Sequence, residues 1–164
     1  MWQQWAGPRL AYLAEAGTWR NIYLTGAQEL RHGVTVLPPQ RFSLDLIRAT
    51  PTEMMLDFAA VRVNPEKAAG KRIVLNVVLT DAEEKHLITV ENGVLIHEAR
   101  IFDDRADATV TMKRDDMLQT MFAGVPVGLK TTIGAIKVDG NGASYGELVG
   151  LIDPVNANFN VVTP

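Results

Sequence analysis

Hydrophobic and polar positions alternate most clearly between Asp107 and Gly140, and the rest of the chain can be placed around that stretch. Ala108, Val110 and Met112 alternate with Thr109, Thr111 and Lys113, which predicts a half-buried strand. The period then lengthens. Met117, Leu118, Met121 and Phe122 fall at helical spacing behind Asp115 and Asp116, whose negative charge suits the first turn of a helix, and Gly124 is a natural stop. A short element over 128–133 leads into a second alternating run, 134–138. The order strand, apolar helix, short helix, strand predicts a sheet covered by a helix rich in Met and Phe.

More strands precede this stretch. Over 72–80, Ile73, Leu75, Val77 and Leu79 take one face and Val74, Asn76, Val78 and Thr80 the other. Residues 81–84 read as a turn, and His86, Ile88 and Val90 then alternate with Leu87, Thr89 and Glu91. Asn92-Gly93 predicts a type I′ hairpin turn, which needs positive φ at both positions. The returning strand spans 94–101, and a charged loop spans 103–107. After a turn at Gly140-Asn141-Gly142, the residues Tyr145, Leu148, Val149 and Ile152 predict a last amphipathic helix, ended by Asp153-Pro154.

The start of the chain is helical but builds no core. Pro8 suits a first turn, Leu10, Leu13 and Ala14 share a face, and Gly17 ends the run. A second helix is expected from Thr18, as N-cap, to His32, with Gly33 closing it and Trp19, Ile22, Tyr23, Ala27 and Leu30 on one side. Two short helices with several aromatic residues read as the end of a helical domain. Residues 34–40, with Pro38-Pro39, read as a linker. Phe42, Leu46 and Ile47 then mark a short helix. Thr50-Pro51-Thr52-Glu53 predicts a capping box for a helix carrying Met54, Met55, Phe58, Val61 and Arg62, which Asn64-Pro65 ends. The expected division is 1–33 helical appendage, 34–40 linker and 41–164 an α+β domain.

Composition narrows the chemistry. The chain has 164 residues, a net charge of −3 and no cysteine. The charge argues against a nucleic-acid surface, and the missing cysteines exclude disulfides, thiolate metal sites and cysteine nucleophiles. No apolar run approaches the roughly 20 residues of a membrane span, so no integral membrane contact is expected. His32, His86 and His97 are dispersed and have no carboxylates at ligand spacing. A hydrolytic dinuclear zinc site needs a cluster such as His-x-His-x-Asp-His, which does not occur, so no metal ligand and no catalytic residue is assigned. No Gly-x-Ser-x-Gly motif occurs either.

The strand of small and Thr residues, the helix with an acidic start, and the Gly134-x-x-Lys137-Val138-x-Gly140 strand resemble the closing half of the sterol-carrier-protein-2 fold. Residues 19–31, Trp-Arg-Asn-Ile-Tyr-Leu-Thr-Gly-Ala-Gln-Glu-Leu-Arg, and the ending Asn158-Phe159-Asn160-Val161-Val162-Thr163-Pro164 resemble bacterial alkyl sulfatases. In that family a metallo-β-lactamase-like dinuclear zinc domain is followed by a helical dimerisation domain and a sterol-carrier-like domain. The resemblance implies the C-terminal piece of such an enzyme. It implies a mainly antiparallel sheet of about five strands covered by helices, with an N-terminal helical appendage. It also implies an alkyl chain or lipid as ligand, the parent's catalytic domain as partner and a homodimer in the parent. Zinc would belong to a domain absent here.

The resemblance gives the methionines their meaning. Met54, Met55, Phe58, Met112, Met117, Leu118, Met121, Phe122 and Ile133 are the expected apolar lining, because unbranched, polarizable Met adapts to varied apolar ligands. The helix of Met54, Met55 and Phe58 and the helix of Met117, Met121 and Phe122 should lie on one sheet face with space between them. The other reading is a filled core that only supports assembly. Arg20 has two readings as well: a solvated helix face, or a contact to sulfate in the complete enzyme, since guanidinium grips oxyanions bidentately.

Overall fold

The computed structural model describes residues 9–34, 36, 44–155 and 159–162. The chain forms two compact units, one of Met1–Arg41 with Val155–Pro164 and one of Phe42–Pro154. Phe42 and Pro38-Pro39 lie outside the described residues.

In the first unit, residues 9–13 are helical and α1 follows as Gly17–His32. The expected cap at Thr18 does not form. Ala16, with extended backbone, occupies the N-cap and supplies no side-chain bond. The far end is as expected: Gly33 has φ 78° and donates its N–H to the Glu29 carbonyl. Gly26, Ala27 and Glu29 are the buried positions of α1, while Trp19, Ile22 and Leu24 are exposed. The Trp19 and Tyr23 rings lie one turn apart at 6.0 Å between centroids.

The second unit is an α+β layer structure. Its helices are α2 (Leu44–Ala49), α3 (Thr52–Ala60), α4 (Pro65–Ala68), α5 (Arg114–Phe122), α6 (Val127–Thr132) and α7 (Ser144–Leu151). Its strands are β1 (Ile73–Leu79), β2 (Glu84–Glu91), β3 (Val94–Ala99), β4 (Ala108–Met112) and β5 (Ile136–Gly140). They form a five-stranded sheet in the order β3-β2-β1-β4-β5. β1 and β4 run parallel and every other pair is antiparallel.

Register follows from the period of 2. Leu75, Val77 and Leu79 stand opposite Ala108, Val110 and Met112, and β2 brings Ile88 and Val90 to the same face. That face is buried under Met55, Leu56 and Ala59 of α3, Met117, Leu118 and Met121 of α5, and Tyr145, Leu148 and Leu151 of α7, in one core cluster. Burying such side chains contributes about 1.5–3 kcal/mol each and drives the layering. β1 is central and is buried on its second face too. The loop before β4 crosses it there: Asn76 donates to the Asp103 carbonyl at 2.8 Å and accepts the Asp103 N–H, and Asp107 accepts the Val74 N–H at 2.7 Å.

Two local expectations change. Thr50 caps nothing forward; its hydroxyl donates back to the Leu46 carbonyl at 2.8 Å, and Pro51 takes the N-cap of α3 without a side-chain bond. Asn64 does more than end a helix. Its side-chain oxygen accepts the N–H groups of Glu66 and Lys67 and so starts α4, with Pro65 in the first turn. The Asn92-Gly93 turn has φ of 54° and 78°, as type I′ geometry requires. No helix among the described residues is long and apolar enough to cross a membrane.

Candidate functional site

The apolar concavity of the second unit lies between α2 and α3. It encloses about 290 Å³ and is lined by Leu46, Ile47, Thr50, Met54, Met55 and Phe58. Helical spacing explains the α3 wall. Leu56 and Ala59 turn fully inward to the sheet, which leaves Met54 and Phe58, four residues apart, on the flank facing α2. Met54 is 59% exposed, whereas Met55 beneath it is buried.

Arg114 fixes the α2–α3 corner. Its guanidinium donates to the Thr52 hydroxyl at 2.9 Å, to the Arg48 carbonyl at 3.1 Å and to the Thr50 carbonyl. Arg48 is paired with Asp115 at 3.3 Å. The groove corner is thereby tied to the start of α5.

At its far end the groove meets an aromatic stack. Phe58 and Phe122 have centroids 5.8 Å apart, and the Arg62 guanidinium carbon lies 5.1 Å and 5.6 Å from the two ring centres. Arg62 Nε donates to the Asp153 carbonyl at 2.8 Å, and its Nη2 donates to the same oxygen. Desolvation pushes the Arg62 pKa down from its ordinary value, and the Asp153 charge opposes this. The Asp153 carboxyl is held below its usual range by the hydrogen bonds of Lys67, at 2.6 Å, and Asn64, at 2.7 Å.

The nine expected lining residues therefore divide. Met54, Met55 and Phe58 line the groove. Met117, Leu118 and Met121 are buried in the core beneath α5, and Phe122 closes on Phe58, so these rings touch where a gap was expected. Met112 and Ile133 border a separate depression of about 450 Å³, whose wall includes Lys113, Asp116 and Lys137; Ile133 is 65% exposed there. Leu46, Ile47 and Thr50 complete the groove without having been expected in it. Only the apolar pair Leu46-Ile47 gave a signal. Arg20, in the first unit, is exposed and donates to the Ala14 carbonyl at 2.8 Å.

A larger polar depression, about 550 Å³, is lined by Thr52, Glu53, Glu83, Glu84, His86 and Arg100 among others. Burial pushes the Glu84 carboxyl upward, but hydrogen bonds from Thr52 and His86 and the charges of His86 and Arg114 outweigh it and hold the group below its ordinary value. Among the described residues no three His, Cys, Asp or Glu side chains could hold a metal ion. These residues offer no fit for zinc.

Residues 40–164 match the family model described as alkyl sulfatase C-terminal. The chain belongs to that family. It is 40% identical over 157 residues to a linear primary-alkylsulfatase from Pseudomonas sp, an alignment covering 95% of this chain and 23% of the relative. It is 38% identical over 159 residues to the alkyl/aryl-sulfatase BDS1 of Saccharomyces cerevisiae, covering 95% and 24%. The stereoselective inverting sec-alkylsulfatase Pisa1 from Pseudomonas sp. has a similar structure, with TM-score 0.82, 34% identity, and coverage of 96% of this chain and 25% of that one. The chain thus spans about a quarter of the length of the curated relatives it matches. The ubiquinone synthesis protein UbiJ-SCP2 is more distant, at 15% identity and TM-score 0.49, a likeness that carries no inference about ligands.

Proposed function

We propose that this alkyl sulfatase C-terminal domain receives the alkyl chain of a surfactant or lipid in the groove between α2 and α3, and by itself catalyses nothing. The supporting observation is an apolar lining with a half-exposed Met54, kept open in a member of this family. Each ligand methylene buried gains about 0.8 kcal/mol, and association and ordering cost several. A groove of 290 Å³ lies at the small end of ligand sites, which run from about 300 Å³ upward, so it takes part of a twelve-carbon chain. Weak, reversible capture suits a domain that collects a substrate for chemistry performed elsewhere. In the complete protein that chemistry would be sulfate-ester hydrolysis by zinc-binding residues outside this chain, in a homodimer.

The test is calorimetry with tetraethylene glycol monododecyl ether below its micelle concentration. Saturable uptake is expected. Met54→Asp should weaken it at least tenfold while leaving the fold intact, because the side chain already reaches solvent. No saturable uptake, or uptake unchanged in the variant, overturns the reading. A second reading is a filled structural module. The contact of Phe58 with Phe122 and the full burial of Met117 favour it, and under it the ligand is not taken up at all.

A further inference from the structure

We infer that the groove selects amphiphiles with an oxyanion head and that Arg62, at its Phe58 end, is the residue that makes the selection; this rests on the groove reading above. Phe58 belongs to both features: it lines the groove, and the Arg62 guanidinium lies over its ring. Of three arginines around the groove, Arg62 is the one whose guanidinium lies over a lining ring and faces no carboxylate within ion-pair distance among the described residues. Arg114 spends its Nε and both terminal nitrogens on Thr52, Arg48 and Thr50. Arg48 is engaged by the Asp115 carboxylate. Arg62 makes no ion pair among the described residues, and its Nη1 has no hydrogen-bond partner among them. The nearby Asp153 carboxylate is occupied by Lys67 and Asn64.

The cation is also held in place before any ligand arrives. Two rings support it, one carbonyl accepts two of its donors, and the backbone on either side is locked by the Asp153 N–H to Arg62 carbonyl bond and by the Val63–Ile152 bridge. A fixed guanidinium loses little conformational freedom on binding, and its planar donors match a sulfate, carboxylate or phosphate head. An alkyl tail in the groove places its head at one end or the other, and the Phe58 end is the one offering a partly desolvated cation without a direct ion pair among the described residues.

The experiment compares four twelve-carbon ligands below their micelle concentrations on the 164-residue chain: dodecyl sulfate, dodecanoate, dodecyltrimethylammonium and the neutral ether. Both anions should bind about tenfold tighter than the ether and the cation should bind more weakly, with the spread narrowing as salt rises. Arg62→Gln should bring the anions to the level of the ether and leave the ether unchanged. Arg62→Lys should keep part of the preference. Asp153→Asn should strengthen anion binding twofold or more, since a competing charge is gone. Equal loss of anion and ether binding in Arg62→Gln, or wild-type uptake of the ether without anion preference, overturns this inference alone. Absence of uptake for all four ligands overturns the groove reading and this inference with it. If Arg62→Gln does not fold, an anion preference that ignores both salt and Asp153→Asn is the overturning result. Dodecyl sulfate above dodecanoate points to a sulfate ester as the source of the head, and the reverse to a fatty acid; either supports the selection.

Discussion

The carboxylate of Glu29, in the last turn of α1, accepts the backbone N–H of Val161 at 2.6 Å. The next amide, Val162, lies 3.4 Å from both oxygens of the same group. Beside it the chain comes so close that a Cβ on Gly26 would lie 2.8 Å from a Val162 methyl. A buried carboxylate thus holds the terminal segment against the helix, and the resulting hydrogen bonds are of the charge-assisted kind.

Glu29→Ala should release this clasp. A hydrogen bond to a charged group contributes about 1.5–3 kcal/mol, so exchange of the Val161 and Val162 amides should accelerate at least tenfold by hydrogen-exchange NMR. Amides of β1 in the second unit should keep their protection. Unchanged exchange at Val161 would show that the carboxylate does not hold the segment.

Gly140 closes β5 with φ 106°, and a Cβ there would lie 2.6 Å from the Asp107 carbonyl oxygen. Gly140→Ala therefore combines a disfavoured backbone region with a clash against backbone that already pairs with Val74 and Asn141. Urea unfolding should show a loss of about 2–4 kcal/mol. A loss below about 0.5 kcal/mol, the scale of an ordinary surface change, would contradict the close approach.

Much of this architecture was legible because alternation reports which side of a strand is inward. Ile73, Leu75 and Val77 share a face as their spacing implies, and Asn92-Gly93 makes its hairpin. The parallel pairing of β1 with β4 was not legible, since no local residue records which distant strand lies alongside. Capping was misread where a competing partner was nearer: Thr50 had the Leu46 carbonyl behind it. The candidate lining shows the same limit. Spacing placed Met55, Met117 and Met121 inward, but it could not say whether α3 and α5 stand apart or meet, and Phe58 and Phe122 meet. Arg62 read as one more helical position because its role comes from Asp153 and Phe122, far away in sequence.

Acid should loosen the second unit through Glu84. Its folded pKa lies below the ordinary value, so its stabilising contribution is present above the unfolded pKa of about 4.3 and is lost as pH falls through the lower folded value. Asp153 acts in the same direction, through Lys67 and Asn64. The melting temperature of the wild type should fall on going from pH 5 to pH 3. Glu84→Gln should show a smaller fall over that interval, because the amide does not titrate. Identical falls for the two proteins would remove Glu84 from the account.

Arg114 links stability to the proposed binding. Its three acceptors are the Thr52 hydroxyl and the carbonyls of Arg48 and Thr50, which together fix the turn between the two groove walls. Thr50 is itself a lining residue, and α3 has no side-chain cap of its own. Arg114→Met keeps much of the stem but strands these acceptors, at a cost of about 2–4 kcal/mol. With the corner loosened, α2 is no longer held at a fixed distance from α3, so dodecyl ether uptake should weaken several-fold although Arg114 is not itself a lining residue. Asp115→Asn, which weakens the exposed pair with Arg48 and keeps an oxygen for the Gln119 amide, should change stability by less than about 1 kcal/mol and leave uptake as it was. Denaturant unfolding and calorimetry on the same preparations separate the two effects. An Arg114→Met protein that loses stability yet binds the ether as wild type does would show that the groove keeps its shape without this corner.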